Sequence, residues 1–311
     1  MTDLAHRLLA ELDRIVAAHT GVTAHGVAVI EGENTIALAG FCGTSLAAPG
    51  AILALLRNAP PPSLVLTNDP HAGGTGLDRV FVIARAGPRS VVAALAFRDF
   101  GAMRKDVFRR RAETFHEGLA FSLLPVDWAG PDRDIVLGLI AANVRDGIVA
   151  CDITDRVVRA TLAANDAIGG LASQTGPASA IPISGHAEGR AAVANANGVA
   201  VDAALSADAD GWRVTMQLDN QTVGEVARCS TSAIRSASVL GVADALGLPR
   251  MAALDSLRVE PGNAAAAAPE AVGDGMPVAY ACYRAAFDAA RKLSAAAATR
   301  PRDEAVFLAR G

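Results

Sequence analysis

Leu4, Leu8, Leu9, Leu12, Ile15 and Val16 recur near the i, i+3, i+4 spacing, with Asp3, Glu11 and Asp13 between them. That periodicity predicts an amphipathic helix over residues 1–20. Short apolar runs follow. Gly26 to Glu31 and Thr35 to Ala39 are expected as strands, joined by the polar turn Glu31-Gly32-Glu33-Asn34. Ser45 to Asn58 reads as a helix interrupted at Pro49-Gly50 and ended by Pro60-Pro61-Pro62. Ser63 to Thr67, Arg79 to Arg85 and Val91 to Phe97 are β-branched or apolar runs bounded by turn residues, hence strands. Arg98 to Arg111 is strongly charged and reads as a helix or an exposed loop. Ile135 to Asn143 and Ile153 to Ile168 read as helices. Further along, a strand is expected at Trp212 to Leu218, a long helix around Glu225 to Leu246, a strand near Ser256 to Glu260 and a final helix from Val278 to Thr299. The polar, small-residue stretch from Gly169 to Gly185 is a candidate linker. It divides the chain into expected regions 1–170 and 185–311, and the order of elements predicts an α+β fold of mixed and antiparallel sheets flanked by helices.

Composition narrows the picture. The chain has 311 residues, 51% of them hydrophobic and 19% charged, with a net charge of -4. That hydrophobicity excludes a disordered linker. The weakly acidic balance argues against a nucleic-acid binder, which needs a clustered basic surface. No run of about 18 uncharged apolar residues is present, so no membrane span is expected. The charged first helix is not a signal peptide. Cys42, Cys151, Cys229 and Cys282 are far apart and form no CxxC pair. They read as reduced thiols of a cytoplasmic chain. Much of the apolar fraction is Ala. Small side chains bury little area each, so such a core brings backbones close together or borrows surface from a partner.

The densest candidate chemistry is Asn68-Asp69-Pro70-His71-Ala72-Gly73-Gly74-Thr75-Gly76, directly after an apolar strand. Its glycines allow tight turns and close approach of a ligand. It is not a phosphate loop, because it lacks GxxxxGK[ST] and leads into a strand, so no helix N-terminus receives an anion. Asn68 and Asp69 also have a plain structural reading, as turn formers that satisfy nearby backbone N–H groups. His71 reads as exposed and Cys42 as a buried thiol, with any pairing to His25 or His116 left to the fold. The cluster Arg104, Lys105, Arg109, Arg110 and Arg111 reads as a solvated face or a dock for an acidic partner.

The block SLVLTNDPHAGGTGLDRVFVIA resembles the signature of the hydantoinase B/oxoprolinase family, "G-D-V-x-x-x-N-D-P-(aromatic)-x-G-G-T-H-x-x-D". Four further blocks resemble that family in the same order. They are the first helix with HGVAVIEGENTIALAG, FHEGLAFSLLPV, LGLIAANVRDGIVACDITDRVVRATLAAND and RVEPGNAAAAAPEAVGDG. Within the fourth of the five, Asn143, Val144, Arg145, Asp152, Ile153, Ala163, Ala164 and Asn165 match. The resemblance thus runs along nearly the whole chain.

The departures are as informative. Members with a metal centre carry a His after Gly-Gly-Thr and an Asp three residues later; here those positions are Gly76 and Arg79, with Asp78 one residue off. The His-rich segment of the family corresponds to AFRDFGAMR, where Arg98 and Asp99 stand in place of His. Family members are usually longer and continue into a Gly-rich C-terminal region. The resemblance therefore implies a diverged hydantoinase B-like subunit with no metal and no cofactor of its own. Its implied partner is a hydantoinase A-like ATP-binding subunit, or other subunits of an amidohydrolase or ketone carboxylase complex such as acetone or acetophenone carboxylase. Two alternatives stay open. One is an active hydrolase or carboxylase subunit using Asp69, His71, Asp78 or Asp99 as acid, base or ligand, with Asn68, Gly73, Gly74, Thr75 and Arg98 binding substrate. The other is a non-enzymatic homo-oligomeric binding module, without nucleic-acid or membrane partners.

Overall fold

The structure, a computed structural model, describes residues 1–19, 21–32, 34–40, 48–55, 64–97, 118–144, 146–169, 185–193, 199–208, 211–219, 229–248, 254, 257–265, 276–294 and 301. The fold is α+β, and its described elements fall into two compact units.

In the first unit, α1 (Thr2–Val16) buries Ala5, Leu8, Leu12, Ile15 and Val16, the stripe expected from its periodicity. It is followed by β1 (Val22–Glu31) and β2 (Asn34–Gly40). These form an antiparallel hairpin whose last register pair is Glu31 with Asn34. Gly32 in its turn has φ 61°, a left-handed conformation that glycine adopts without a Cβ clash. The remaining elements are α2 (Ala48–Leu55), β3 (Leu64–Thr67), β4 (Arg79–Ala86), β5 (Arg89–Phe97), β6 (Leu124–Pro125), α3 (Asp132–Asn143) and α4 (Gly147–Gly169). Pro49 and Gly50 do not interrupt α2 but lie in its first turn, where a missing N–H costs nothing.

The six strands form one antiparallel sheet in the order β2-β1-β5-β4-β3-β6. Val27, Val29, Leu64, Leu66, Val80, Val82, Val91 and Leu95 from this sheet belong to the same core cluster as the buried residues of α1, α3 and α4. These are large aliphatic side chains, each contributing about 1.5–3 kcal/mol when fully buried. A largely buried ion pair lies within this unit: Arg89 Nε meets Glu31 Oε1 at 3.0 Å, with side chains 7% and 11% exposed. Arg89 also donates to the Ile168 carbonyl at 3.0 Å, so a cation closes the C-terminal end of α4.

The second unit contains β7 (Gly185–Val193), β8 (Val199–Asp208), β9 (Gly211–Leu218), α5 (Thr231–Leu246), β10 (Leu257–Glu260) and α6 (Met276–Leu293). The sheet order is β10-β9-β8-β7, with β10 parallel to β9 and the other pairs antiparallel. β9 alternates buried Trp212, Val214, Met216 and Leu218 with outward residues, as its sequence pattern predicts. β7 and β8 were not expected from the sequence; β7 in particular is Ala and Gly over much of its length.

α5 begins at Ser230, whose hydroxyl accepts the Ala233 N–H at 3.1 Å, and ends at Gly247 with φ 64°. The helix expected from Glu225 thus begins later, at this cap. α5 and α6 pack backbone to backbone. A Cβ on Gly241 of α5 would sit 2.4 Å from the Tyr283 carbonyl oxygen of α6. A Cβ on Gly189 of β7 would sit 2.1 Å from the Ala285 carbonyl oxygen. α6 answers with Ala279, Ala281, Ala285, Ala286, Ala289 and Ala290, all buried. Ala264 closes a 3-10 turn and is fully buried, and Ala265 bridges to Cys229.

No helix among the described residues is long and apolar enough to cross a membrane.

Candidate functional site

The Asn68–Gly76 segment leaves the end of β3 and returns into β4. Asn68 is fully buried. Its Nδ2 donates to the carbonyls of Leu77 and Leu119 at 2.7 and 2.8 Å, and its Oδ1 accepts the Phe121 N–H at 2.6 Å. The Asn68 N–H itself donates to the Phe121 carbonyl at 3.2 Å, and so does the Thr67 hydroxyl at 2.9 Å. Only a carboxamide supplies donors and an acceptor in one side chain, which is why Asn can latch this segment to residues 119–121. Burial strengthens such a network and raises the cost of breaking it.

Asp69 caps a short 3-10 turn over Pro70–Ala72, its Oδ1 accepting the His71 N–H at 2.8 Å. The Asp69 carbonyl accepts the N–H groups of Ala72 and Gly74 at 3.1 and 2.9 Å. The chain then reverses at Gly73, with φ 93°. A Cβ on Gly73 would lie 2.9 Å from the Ile52 side chain of α2, and one on Gly74 would lie 2.6 Å from the Asp69 carbonyl oxygen. Both glycines are therefore demanded by packing of the turn itself. Thr75 is buried; His71 is half-buried, more enclosed than its sequence context implied.

At the exit of the loop, Asp78 Oδ2 pairs with Arg79 Nη1 at 3.0 Å. The Asp78 carbonyl accepts the Phe97 N–H at 2.6 Å, fixing the loop to β5. His25 joins this neighbourhood from another strand. It sits where the β1–β5 register shifts, between Ala24 and Gly26. Burial, reinforced by the positive charge of Arg79, lowers its pKa from 6.5 to about 3, so the imidazole is neutral at physiological pH. The sequence offers His25 only through a pairing with Cys42, which lies outside the described residues. A signal was nevertheless present: a lone His-Gly pair at the start of a strand, where a bulge would place it.

Of the residues singled out in the sequence, Asn68, Asp69, His71, Gly73, Gly74, Thr75 and Asp78 come together in this one loop. Arg98, Asp99, Cys42, His116 and the basic cluster at residues 104–111 lie outside the described residues.

The described residues of this loop do not supply the ligands that the family resemblance implies for a metal centre. Gly76 offers no ligand, Arg79 is a cation, and the Asp78 carboxylate is engaged by that cation. Among the described residues no group of three or more His, Cys, Asp or Glu side chains is placed to hold a metal ion.

With this geometry in view, the fold is that of a known class of chain. An ATP-dependent caprolactamase from Pseudomonas jessenii superposes with a TM-score of 0.72 at 12% identity, covering 94% of this chain and 58% of that one. The present chain thus spans 58% of the caprolactamase chain. A nucleotide-free acetone carboxylase superposes with a TM-score of 0.48 at 10% identity, over 79% of this chain and 39% of that one. No family model and no curated protein matches the sequence.

Proposed function

We propose that this chain is a diverged hydantoinase B/oxoprolinase-like subunit. It serves as an accessory, metal-free component of an ATP-dependent amidohydrolase or ketone carboxylase complex. The observation that carries the reading is the pairing of a caprolactamase-like fold over 94% of the chain with Arg79 at a position where the resembled family places a metal-binding Asp. A guanidinium there replaces ligand with cation, while the fold around it is kept. The engagement of Asp69 in its own turn and of Asn68 in backbone bonds supports the same reading, since neither arrangement requires a substrate.

On this reading the partner is a hydantoinase A-like ATP-binding subunit. It activates the substrate by phosphorylation, and the present chain completes the complex. Co-expression of the two chains tests it. The expected outcome is a stable complex whose ATP hydrolysis in the presence of a cyclic amide or ketone depends on this chain. The isolated chain is expected to hydrolyse neither hydantoin nor oxoproline. Elemental analysis that found one transition metal per isolated chain would overturn the accessory, metal-free assignment.

A further inference from the structure

Two cysteines of the second unit lie where the packing of α5 on α6 begins. Cys229 immediately precedes the Ser230 cap of α5, and Cys282 stands in the second turn of α6. Cys229 is 2% exposed and Cys282 is fully buried. The backbone of Cys229 is held in place: its N–H donates to the Ala264 carbonyl at 3.3 Å, and it bridges to Ala265. Its sulfur faces two backbone N–H groups, those of Ser230 at the start of α5 and of Ala279 in the first turn of α6.

Ala279 locates the second thiol. Cys282 follows it at i+3, on the same side of α6. A helical side chain leans back towards the helix N-terminus, so the Cys282 side chain covers the turn that begins at Ala279. Ala286, at i+4 from Cys282, has its Cβ 3.2 Å from the place a Cβ on Gly241 of α5 would take. This side of α6 therefore fronts α5, with Cys229 at its Ala279 end. The two sulfurs are near enough that charge on Cys229 is felt at Cys282.

In the closed fold, burial keeps both thiols protonated, and a protonated thiol does not attack a disulfide. Parting of α5 and α6 admits water and removes that penalty. The N–H groups of Ser230 and Ala279 then favour a thiolate at Cys229, because both lie at helix starts. Cys229 is thus the attacking sulfur and Cys282 the resolving one. We propose that Cys229 and Cys282 form a reversible intramolecular disulfide by exchange with a small-molecule disulfide, so that oxidation latches the start of α5 to α6. The Cys229 thiolate attacks one sulfur of the external disulfide, whose S–S bond breaks and releases one thiolate. The Cys282 thiolate then attacks the Cys229 sulfur of the mixed disulfide, and the second external thiolate leaves. The protein loses two electrons, the external disulfide gains them, and the two thiol protons end on the released thiols. The new bond closes the loop from residue 229 to residue 282, which restricts the unfolded chain.

The test uses the full chain by itself, so its failure leaves the proposed function standing. The reduced chain is incubated with oxidised glutathione, once in buffer and once in urea below the unfolding midpoint. Digestion without reductant and mass spectrometry of the peptides then identify the bonds. The expected product is a Cys229–Cys282 disulfide within one chain, with unchanged circular dichroism and a raised urea midpoint. It is expected to form at least about tenfold faster in the urea, because opening limits the reaction. Cys282→Ser is expected to stop at the mixed disulfide on Cys229, whereas Cys229→Ser leaves Cys282 unmodified over the same time. Cys151→Ser leaves the reaction unchanged. Lasting glutathione adducts on both Cys229 and Cys282, or pairing of either with Cys42 or Cys151, would overturn the proposal. So would loss of the circular dichroism signal on oxidation, or no reaction of either thiol in the urea.

Discussion

The two units solve the same packing problem in opposite ways. In the first, a sheet of Val, Leu and Phe is covered by helices bearing Leu, Ile and Val, and the stabilisation comes from apolar area. In the second, α5, α6 and β7 meet through glycine and alanine, and the backbones approach until a single added Cβ has no room. The first kind of core is damaged by removing atoms and the second by adding them. The large aromatic side chains of α6, Tyr280, Tyr283 and Phe287, follow one another along the helix, with Tyr280 and Tyr283 ring centroids 6.0 Å apart. Aromatic area thus makes up part of what the alanines cannot supply.

The contrast can be broken most directly by paired substitutions. Phe81→Ala in β4 is expected to cost about 4 kcal/mol, because Phe81 is fully buried and its loss leaves a cavity. Gly189→Ala in β7 is expected to cost about 3 kcal/mol although it deletes nothing, because the nearest obstacles, Ala285 O and Ala289 N at 2.1 and 2.6 Å, are backbone atoms that cannot rotate aside. Urea unfolding measures both, and a neutral Gly189→Ala would sink the account of the second core.

Next in size is Asn68→Ala, expected to cost about 2–3 kcal/mol, since it strips partners from a buried N–H and two carbonyls. Proteolysis of the 118–121 segment should rise with it, because the Asn68 side chain adds bonds to Leu119 and Phe121 beyond those of the Thr67 hydroxyl and the Asn68 N–H.

A further effect is set by pH and is absent at neutrality. His25 titrates at about 3 in the folded chain and near 6.5 when unfolded. Above pH 6.5 the imidazole is neutral in both states, and folding loses nothing to it. As pH falls from 6.5 towards 3, the unfolded chain takes up a proton that the folded chain refuses, so stability declines. His25→Gln is expected to flatten that part of the denaturation midpoint-versus-pH curve.

The gentlest probe is thiol labelling. Burial raises Cys229 to about 12 and Cys282 well above its ordinary value, whereas Cys151 is only half-buried. Cys229 and Cys282 both lie in the second unit, Cys151 in the first. Cys229 and Cys282 are expected to react only when the second unit opens, with Cys151 modified first. Simultaneous modification of all three would mean that the units do not open separately.

Much of the secondary structure was legible wherever side-chain periodicity met large apolar residues. α1, the β1–β2 hairpin, β3 to β5, β9 and the two long helices of the second unit follow from pattern and caps. α4 begins at Gly147, earlier than Ile153, because its first turn exposes Ile148 and Val149 and so breaks the inward periodicity that marks a helix start. β7 escaped detection for the opposite reason. Its small residues carry almost no strand signal, and they are small because α6 lies against them.

The sequence by itself determined that this is an apolar, weakly charged chain of alternating helices and strands, and it placed the Asn-Asp-Pro and Gly-Gly-Thr residues in one tight loop. Those are local properties: periodicity, turn chemistry and composition act over a few residues. Only the tertiary structure decided what the loop residues do. Asn68 finds its partners at Leu119 and Phe121, more than 50 residues away, and His25 meets Arg79 from another strand. Hydrogen bonds and charges act through space over a few ångströms, and only folding brings such distant positions within that range.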